Sequence, residues 1–285
     1  MGKKHRPVQS RTAISKISLI AMLALATFGL STAAILRSTP EPPVGVNPQA
    51  VLTRAPVPSA PDRVAIGEAM QRLADPSRSF TMAVLGDSTG ADADSWPTMV
   101  GEWMGSKYNR SVTVYPWNEQ KDPAGFTKPR QLVGGANAAI TIYNGSAPNR
   151  SAAYSLATLD EMIPVDMTTV DLVLINHGHN QPTDSLTPQV NALATKLSEV
   201  APQAAVSMIL QNPQTITSSH VVEHTNNTGA MRVYAERFAY ETIDVRQAYL
   251  DYGDFGSLYK DNVHPGGTEG YRIWADTVIS ALGAP

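Results

Sequence analysis

From residue 62 onward, short apolar runs alternate with stretches whose apolar residues recur every three or four positions. The runs predict strands over 79–85, 111–117, 138–143, 170–176, 204–210 and 242–245. The periodic stretches predict helices over 62–73, 95–108, 152–163, 186–200, 220–240 and 268–282. The run VDLVLIN at 170–176 is the most strand-like, as expected of a parallel strand buried on both faces. Strands alternating with helices imply a three-layer α/β/α domain with a mainly parallel central sheet. Its ligands would bind at the carboxyl ends of the strands. Residues 118–135 carry Pro, Gly, Lys and Asn with little pattern and are expected to form a long loop.

The first 61 residues read differently. Residues 1–16 hold Lys3, Lys4, Arg6, Arg11 and Lys16 with no acid, a basic tail expected on the cytoplasmic side. Residues 17–36 form a 20-residue uncharged stretch. As a helix rising about 1.5 Å per residue, it would match the roughly 30 Å hydrocarbon core. The expectation is a signal-anchor with everything after residue 36 outside the membrane. The alternative is a signal peptide, cleaved near Ser31 or Ala33-Ala34 to release a secreted protein. Residues 37–61 contain seven prolines and read as an extended linker leading to a domain over 62–285.

Composition narrows the function. The chain carries a formal charge of −3, so the +5 of the first 16 residues leaves −8 on the rest. Such a domain offers no basic footprint for nucleic acid. There is no cysteine, which excludes disulfides, a cysteine nucleophile and thiolate metal sites.

Two motifs carry the chemistry. Gly86-Asp87-Ser88-Thr89-Gly90 directly follows the strand over 79–85, and Asp261-Asn262-Val263-His264-Pro265 lies near the chain's end. A serine on a tight turn, with an Asp and a His on one distant loop, supplies nucleophile, base and base-orienter. Asp261, three residues before His264, can reach one imidazole nitrogen and leave the other to take the Ser88 proton. The first motif also fits the G-x-S-x-G nucleophile elbow. That elbow follows several strands, whereas Ser88 follows the first strand of its domain.

The order and spacing instead resemble the SGNH (GDSL-like) hydrolases, named for four blocks that supply Ser, Gly, Asn and His. Val84-Leu85-Gly86-Asp87-Ser88 resembles the first block, Gly178-His179-Asn180 the third and Asp261-x-x-His264-Pro265 the last. At the second block Asn149 stands where the family has Gly, with Gly145 as the alternative equivalent. Gln181 stands where many members have Asp. The resemblance implies an oxyanion hole from the backbone N–H groups of Ser88 and Asn149 and the side chain of Asn180. Asn is the non-Gly residue best suited to the positive φ such a backbone donor needs.

The implied activity is ester hydrolysis through an acyl-serine, with no metal or organic cofactor. The implied partner is an acyl ester on an envelope glycan or lipid. An acyltransferase with a sugar or lipid hydroxyl as acceptor uses the same residues. A non-catalytic binding module on the same fold is the reading from another class.

Other polar residues read as structural. Asp87 is expected to cap the turn around Ser88. His220 and His224, four apart, read as solvated helix positions rather than metal ligands, and His177 and His179 as packing or hydrogen-bonding residues, with substrate contact the alternative for His179. Trp96, Trp103 and Trp274 read as core.

Overall fold

The computed structural model describes residues 63–182 and 185–283. The basic tail, the 17–36 stretch and the proline-rich linker expected from the sequence lie outside the described residues. Among those described, no helix is long and apolar enough to cross a membrane.

The elements follow in the order α1 (Ile66–Ala74), β1 (Phe80–Gly86), α2 (Trp96–Tyr108), β2 (Arg110–Asn118), β3 (Gly125–Phe126), β4 (Arg130–Val133) and β5 (Asn137–Ser146). After these come α3 (Ala152–Ala157), α4 (Leu159–Met162), β6 (Leu172–Asn176), α5 (Leu186–Val200) and β7 (Ala205–Leu210). The last part contributes α6 (Val221–Arg237), β8 (Glu241–Asp244), α7 (Val245–Asp251) and α8 (Gly267–Ala281).

Six strands, in the order β2-β5-β1-β6-β7-β8, run parallel, with β3 and β4 adding antiparallel pairings to β2. From β1 the chain passes to β2 and returns to β5 between the two, whereas from β6 onward it winds outward on the other side. The strand order therefore reverses beside β1, which makes its carboxyl end the expected ligand crevice of an open α/β sheet.

Period-two alternation sends side chains of each strand to opposite faces. Phe80, Met82 and Val84 of β1 join Leu172 and Leu174 of β6 in one core, capped by Trp96, Val100 and Met104 of α2 and Trp274 of α8. Trp96 and Trp274 stack with centroids 5.9 Å apart. Ala83 and Leu85 join Val173 and Ile175 in the second core, covered by α3–α6. This is the three-layer, mainly parallel α/β/α arrangement that the alternating pattern implies.

Four local expectations are corrected. The stretch 118–135 is not a plain loop but contains β3 and β4. Leu132 and Val133 of β4 pack against the first core, and the pairing covers a β2 edge that would otherwise lie open. The helix expected over 152–163 breaks at Thr158, whose hydroxyl bonds back to the Tyr154 carbonyl at 2.9 Å. Strand β6 starts at Leu172 rather than 170, preceded by Asp171, whose carboxylate accepts from Arg78 (2.6 Å) and from the Thr81 N–H (3.0 Å). Val245 opens α7 instead of closing a strand. The Asp244 side chain caps that helix on the Gln247 N–H at 3.0 Å.

Candidate active site

Strand β1 ends at Gly86, and the chain turns at once into a single helical turn over Ser88–Gly90. Asp87 caps that turn as the sequence suggests, with Oδ1 accepting from the Thr89 N–H (3.1 Å) and the Thr89 hydroxyl (2.8 Å). The Asp87 carboxylate is fully buried, so its second oxygen needs a donor as well. That donor is Gln211 at the end of β7, whose Nε2 lies 3.0 Å from Asp87 Oδ2 and 3.1 Å from the Asn176 carbonyl. Gln211 Oε1 accepts the His179 N–H at 3.0 Å. One amide thus ties the carboxyl ends of β1, β6 and β7 together around the Ser88 turn. Glycine is required at 86, where an added Cβ would lie 2.9 Å from the Asn176 carbonyl oxygen.

The other half of the site comes from the loop before α8. An antiparallel bridge between Tyr259 and Pro265 closes this loop, and Asn212 donates to the Val263 carbonyl at 2.8 Å. Asp261 Oδ1 accepts the backbone N–H groups of Val263 and His264, both at 2.7 Å, and Oδ2 faces His264 Nδ1 at 2.8 Å. His264 Nε2 lies 2.8 Å from Ser88 Oγ. An ionised Asp261 can only accept, so Nδ1 carries the proton and Nε2 is left to accept from the serine hydroxyl. Partial burial raises the Asp261 pKa, but the bonds from the His264 and Val263 backbone and the His264 ring outweigh it. The net shift is below the usual carboxylate value. Ser88, His264 and Asp261, predicted from two distant motifs, are joined in one chain of hydrogen bonds.

The remaining sequence candidates fall at the same strand ends. Asn149, after β5, has φ 59°, the left-handed region in which its N–H can turn away from the sheet. Gly145, the alternative, lies inside β5 opposite Leu85 of β1, so its backbone belongs to the ladder and not to the loop. Asn180 follows β6. Its Nδ2 is buried without a hydrogen-bond partner among the described residues, as a donor reserved for a ligand would be.

Three histidines crowd this end of the fold. His177 is buried and pairs with the Ser155 hydroxyl at 2.9 Å; burial lowers its pKa to about 4 despite the nearby Asp87 charge. His179 Nε2 meets Asn212 Oδ1 at 2.9 Å and its Nδ1 meets Gln214 Nε2 at 3.2 Å. Burial lowers its pKa too. His224 is not the solvated residue the sequence suggested. It is 1% exposed and stacks flat on His179 with centroids 4.0 Å apart, and desolvation pushes its pKa well below that of a free imidazole. Its helix turns this position inward while His220, four residues earlier, stays exposed beside Glu223. No run of apolar neighbours announced this, because α6 buries polar residues (His224, Asn227 and Thr228) on its inner face. Gln211 was also missed, since a lone Gln after a strand carries no motif. Among the described residues no cluster of three His, Asp or Glu side chains could hold a metal ion.

No protein-family model and no curated protein sequence matches this chain. Solved structures do. A two-domain esterase active on acetylated mannans superposes with TM-score 0.55 at 14% identity, over 78% of this chain and 53% of that one. The chain thus spans about half the length of that enzyme. The acetylxylan esterase of Geobacillus stearothermophilus gives TM-score 0.53 at 13% identity, over 73% of this chain and 96% of its own. The lipase/acylhydrolase of Enterococcus faecalis gives 0.52 at 12%, over 71% and 95%. The chain shares the three-layer α/β fold of these three proteins.

Proposed function

We propose that this chain is a serine esterase that cleaves carboxylic esters through an acyl-serine intermediate. The observation that carries the reading is the unbroken chain of hydrogen bonds from Ser88 Oγ through His264 to Asp261, 2.8 Å at each step. Ser88 Oγ attacks the ester carbonyl carbon as its proton passes to His264 Nε2, and Asp261 stabilises the imidazolium that forms. The developing oxyanion is met by the N–H groups of Ser88 and Asn149 and by Asn180 Nδ2, each donor contributing on the order of 3 kcal/mol to the transition state. The C–O bond breaks, His264 returns the proton to the departing alkoxide, and the acyl group stays on Ser88. Water then attacks the acyl-serine with His264 as base, releasing the acid and restoring the hydroxyl. No step calls for a metal or a redox cofactor.

The substrate class we propose is an acyl ester on a glycan or lipid of the cell envelope, reached from a domain tethered by residues 17–36. The uncharged stretch behind a +5 flank supports the tether. The fold neighbours named as esterases of acetylated mannan and of acetylxylan support the ester class. A sugar or lipid hydroxyl arriving in place of water would turn the same cycle into acyl transfer.

The test combines a fluorophosphonate probe with p-nitrophenyl esters from acetyl to palmitoyl, with and without sugar acceptors. Labelling at Ser88 and turnover of at least one ester are expected. A folded domain that neither labels nor turns over any ester is a binding module, and the proposal fails.

A further inference from the structure

A cavity of about 320 Å³ lies between the Gly178–Pro182 segment after β6 and the start of α6. Its size falls at the lower end of small-molecule sites, roughly 300–1,000 Å³. Asn180 forms part of its wall, so the cavity adjoins the expected oxyanion donor. Three other lining side chains are more than nine-tenths buried, namely Gln181 at 5%, His224 at 1% and Asn227 at 5% exposure. Each keeps polar atoms without a partner among the described residues: Gln181 Oε1, both ring nitrogens of His224, and Asn227 Nδ2. Buried polar groups are nearly always paired, so four unpaired atoms around one cavity point to a ligand.

The three side chains are held in place. Gln181 Nε2 is engaged by Gln189 at 3.2 Å. The His224 ring lies on His179, which Asn212 and Gln214 fix at both of its nitrogens. What remains free is a set of edges: one acceptor on Gln181, donors on Asn227, and on neutral His224 one donor and one acceptor. Such a set suits groups that donate and accept at once. The lining includes Glu223 and no Lys or Arg, which disfavours phosphate or carboxylate ligands. Its unpaired donors disfavour a cation, and its polarity disfavours an acyl chain.

We propose that this cavity is a subsite for the sugar portion of the ester substrate, its hydroxyl groups held by Gln181, His224 and Asn227. The subsite rests on the esterase reading, because Asn180 joins it to the centre where the ester would be cleaved.

The full chain is titrated with neutral oligosaccharides of xylose, mannose, glucose and N-acetylglucosamine, and in separate arms with inorganic phosphate and with decanoate. At least one oligosaccharide should bind saturably and shift the His224 imidazole resonances, and neither phosphate nor decanoate should displace it. Gln181→Leu and Asn227→Leu should each weaken binding roughly ten-fold, the effect of one lost hydrogen bond to a buried group. The His224 shifts in the unmodified chain keep the test open if a variant fails to fold. Absence of sugar binding, or binding indifferent to both substitutions, overturns the subsite. Ser88 labelling by fluorophosphonate in the same samples separates the two readings. Labelling without sugar binding sinks the subsite alone, whereas sugar binding without labelling sinks the esterase reading and the subsite's place in it.

Discussion

The two halves of the proposed catalytic centre are built in opposite ways. The nucleophile half is interior: Asp87, Thr89, Asn176, His177 and Gln211 are all essentially excluded from solvent, and hydrogen bonds tie three strand ends together there. The acid–base half is a loop, with the side chains of His264 and Asp261 28% and 49% exposed. Its rigidity comes from the Asp261 carboxylate gripping its own loop's backbone and from Asn262 receiving the hydroxyls of Thr215 and Thr217 on the loop after β7. A buried polar network is costly to disturb, since every member that loses a partner keeps its desolvation penalty. An exposed loop gives up little stability when one side chain changes. The first half should therefore couple chemistry to folding, and the second should carry chemistry almost alone.

The largest expected effect tests the shared chemistry of the halves. Ser88→Ala and His264→Ala should each lower kcat on the best p-nitrophenyl ester by on the order of 10⁴–10⁶-fold, and the double variant should do little worse than either. His264→Ala should leave the unfolding midpoint close to wild type, because that ring's burial is partial. Additive losses in the double variant would mean the two residues do not act as a unit. A large drop in the unfolding midpoint for His264→Ala would break the contrast between the halves.

These two residues were also the most legible in the sequence. Gly-Asp-Ser after an apolar run and Asp-x-x-His-Pro before a final helix announce themselves because short-range spacing fixes their geometry. The two-core layering was readable for a similar reason: each strand's run and each helix's stripe is a local signal. Gln211, the inward turn of His224 and the strands inside 118–135 were not. Each depends on a partner remote in sequence: Gln211 on Asp87, His224 on His179 and β4 on the edge of β2. Asn149 sits between these cases. Its positive φ was expected from residue type, while its placement after β5 came only from counting against a family pattern.

That residue gives the next effect in size. Asn149→Val should lower kcat by on the order of 10²–10³-fold, because a β-branched side chain resists φ near 59° and turns the N–H away from the oxyanion. Asn149→Gly should keep or raise activity, since glycine adopts that conformation freely. Asn180→Ala should do damage similar to Asn149→Val, through loss of a side-chain donor rather than of backbone geometry. A fully active Asn149→Val would remove this residue from the oxyanion hole.

The smallest effect concerns stability alone and separates the halves by pH. His177 titrates at about 4 in the folded state because burial disfavours its charged form, against an ordinary value of 6.5. Between those values the unfolded chain binds a proton that the folded chain refuses, so stability is present above pH 6.5 and is lost as pH falls towards 4. One such histidine contributes a slope approaching 1.4 kcal/mol per pH unit, or on the order of 3 kcal/mol across the window. His179 and His224, also depressed by burial, add to it in the same direction. Asp261 behaves differently: its depressed pKa gives stability that is lost only as pH falls below its ordinary value of 3.8. Solvent screening at this half-exposed carboxylate holds that contribution to a few tenths of a kcal/mol. Urea unfolding from pH 7 to pH 4 should therefore show a steep acid loss that His177→Leu reduces by about one proton's worth. Asp261→Asn should leave that slope unchanged. A wild-type stability that is flat across this window would mean that the interior half is open to water, and the contrast with the loop would fall with it.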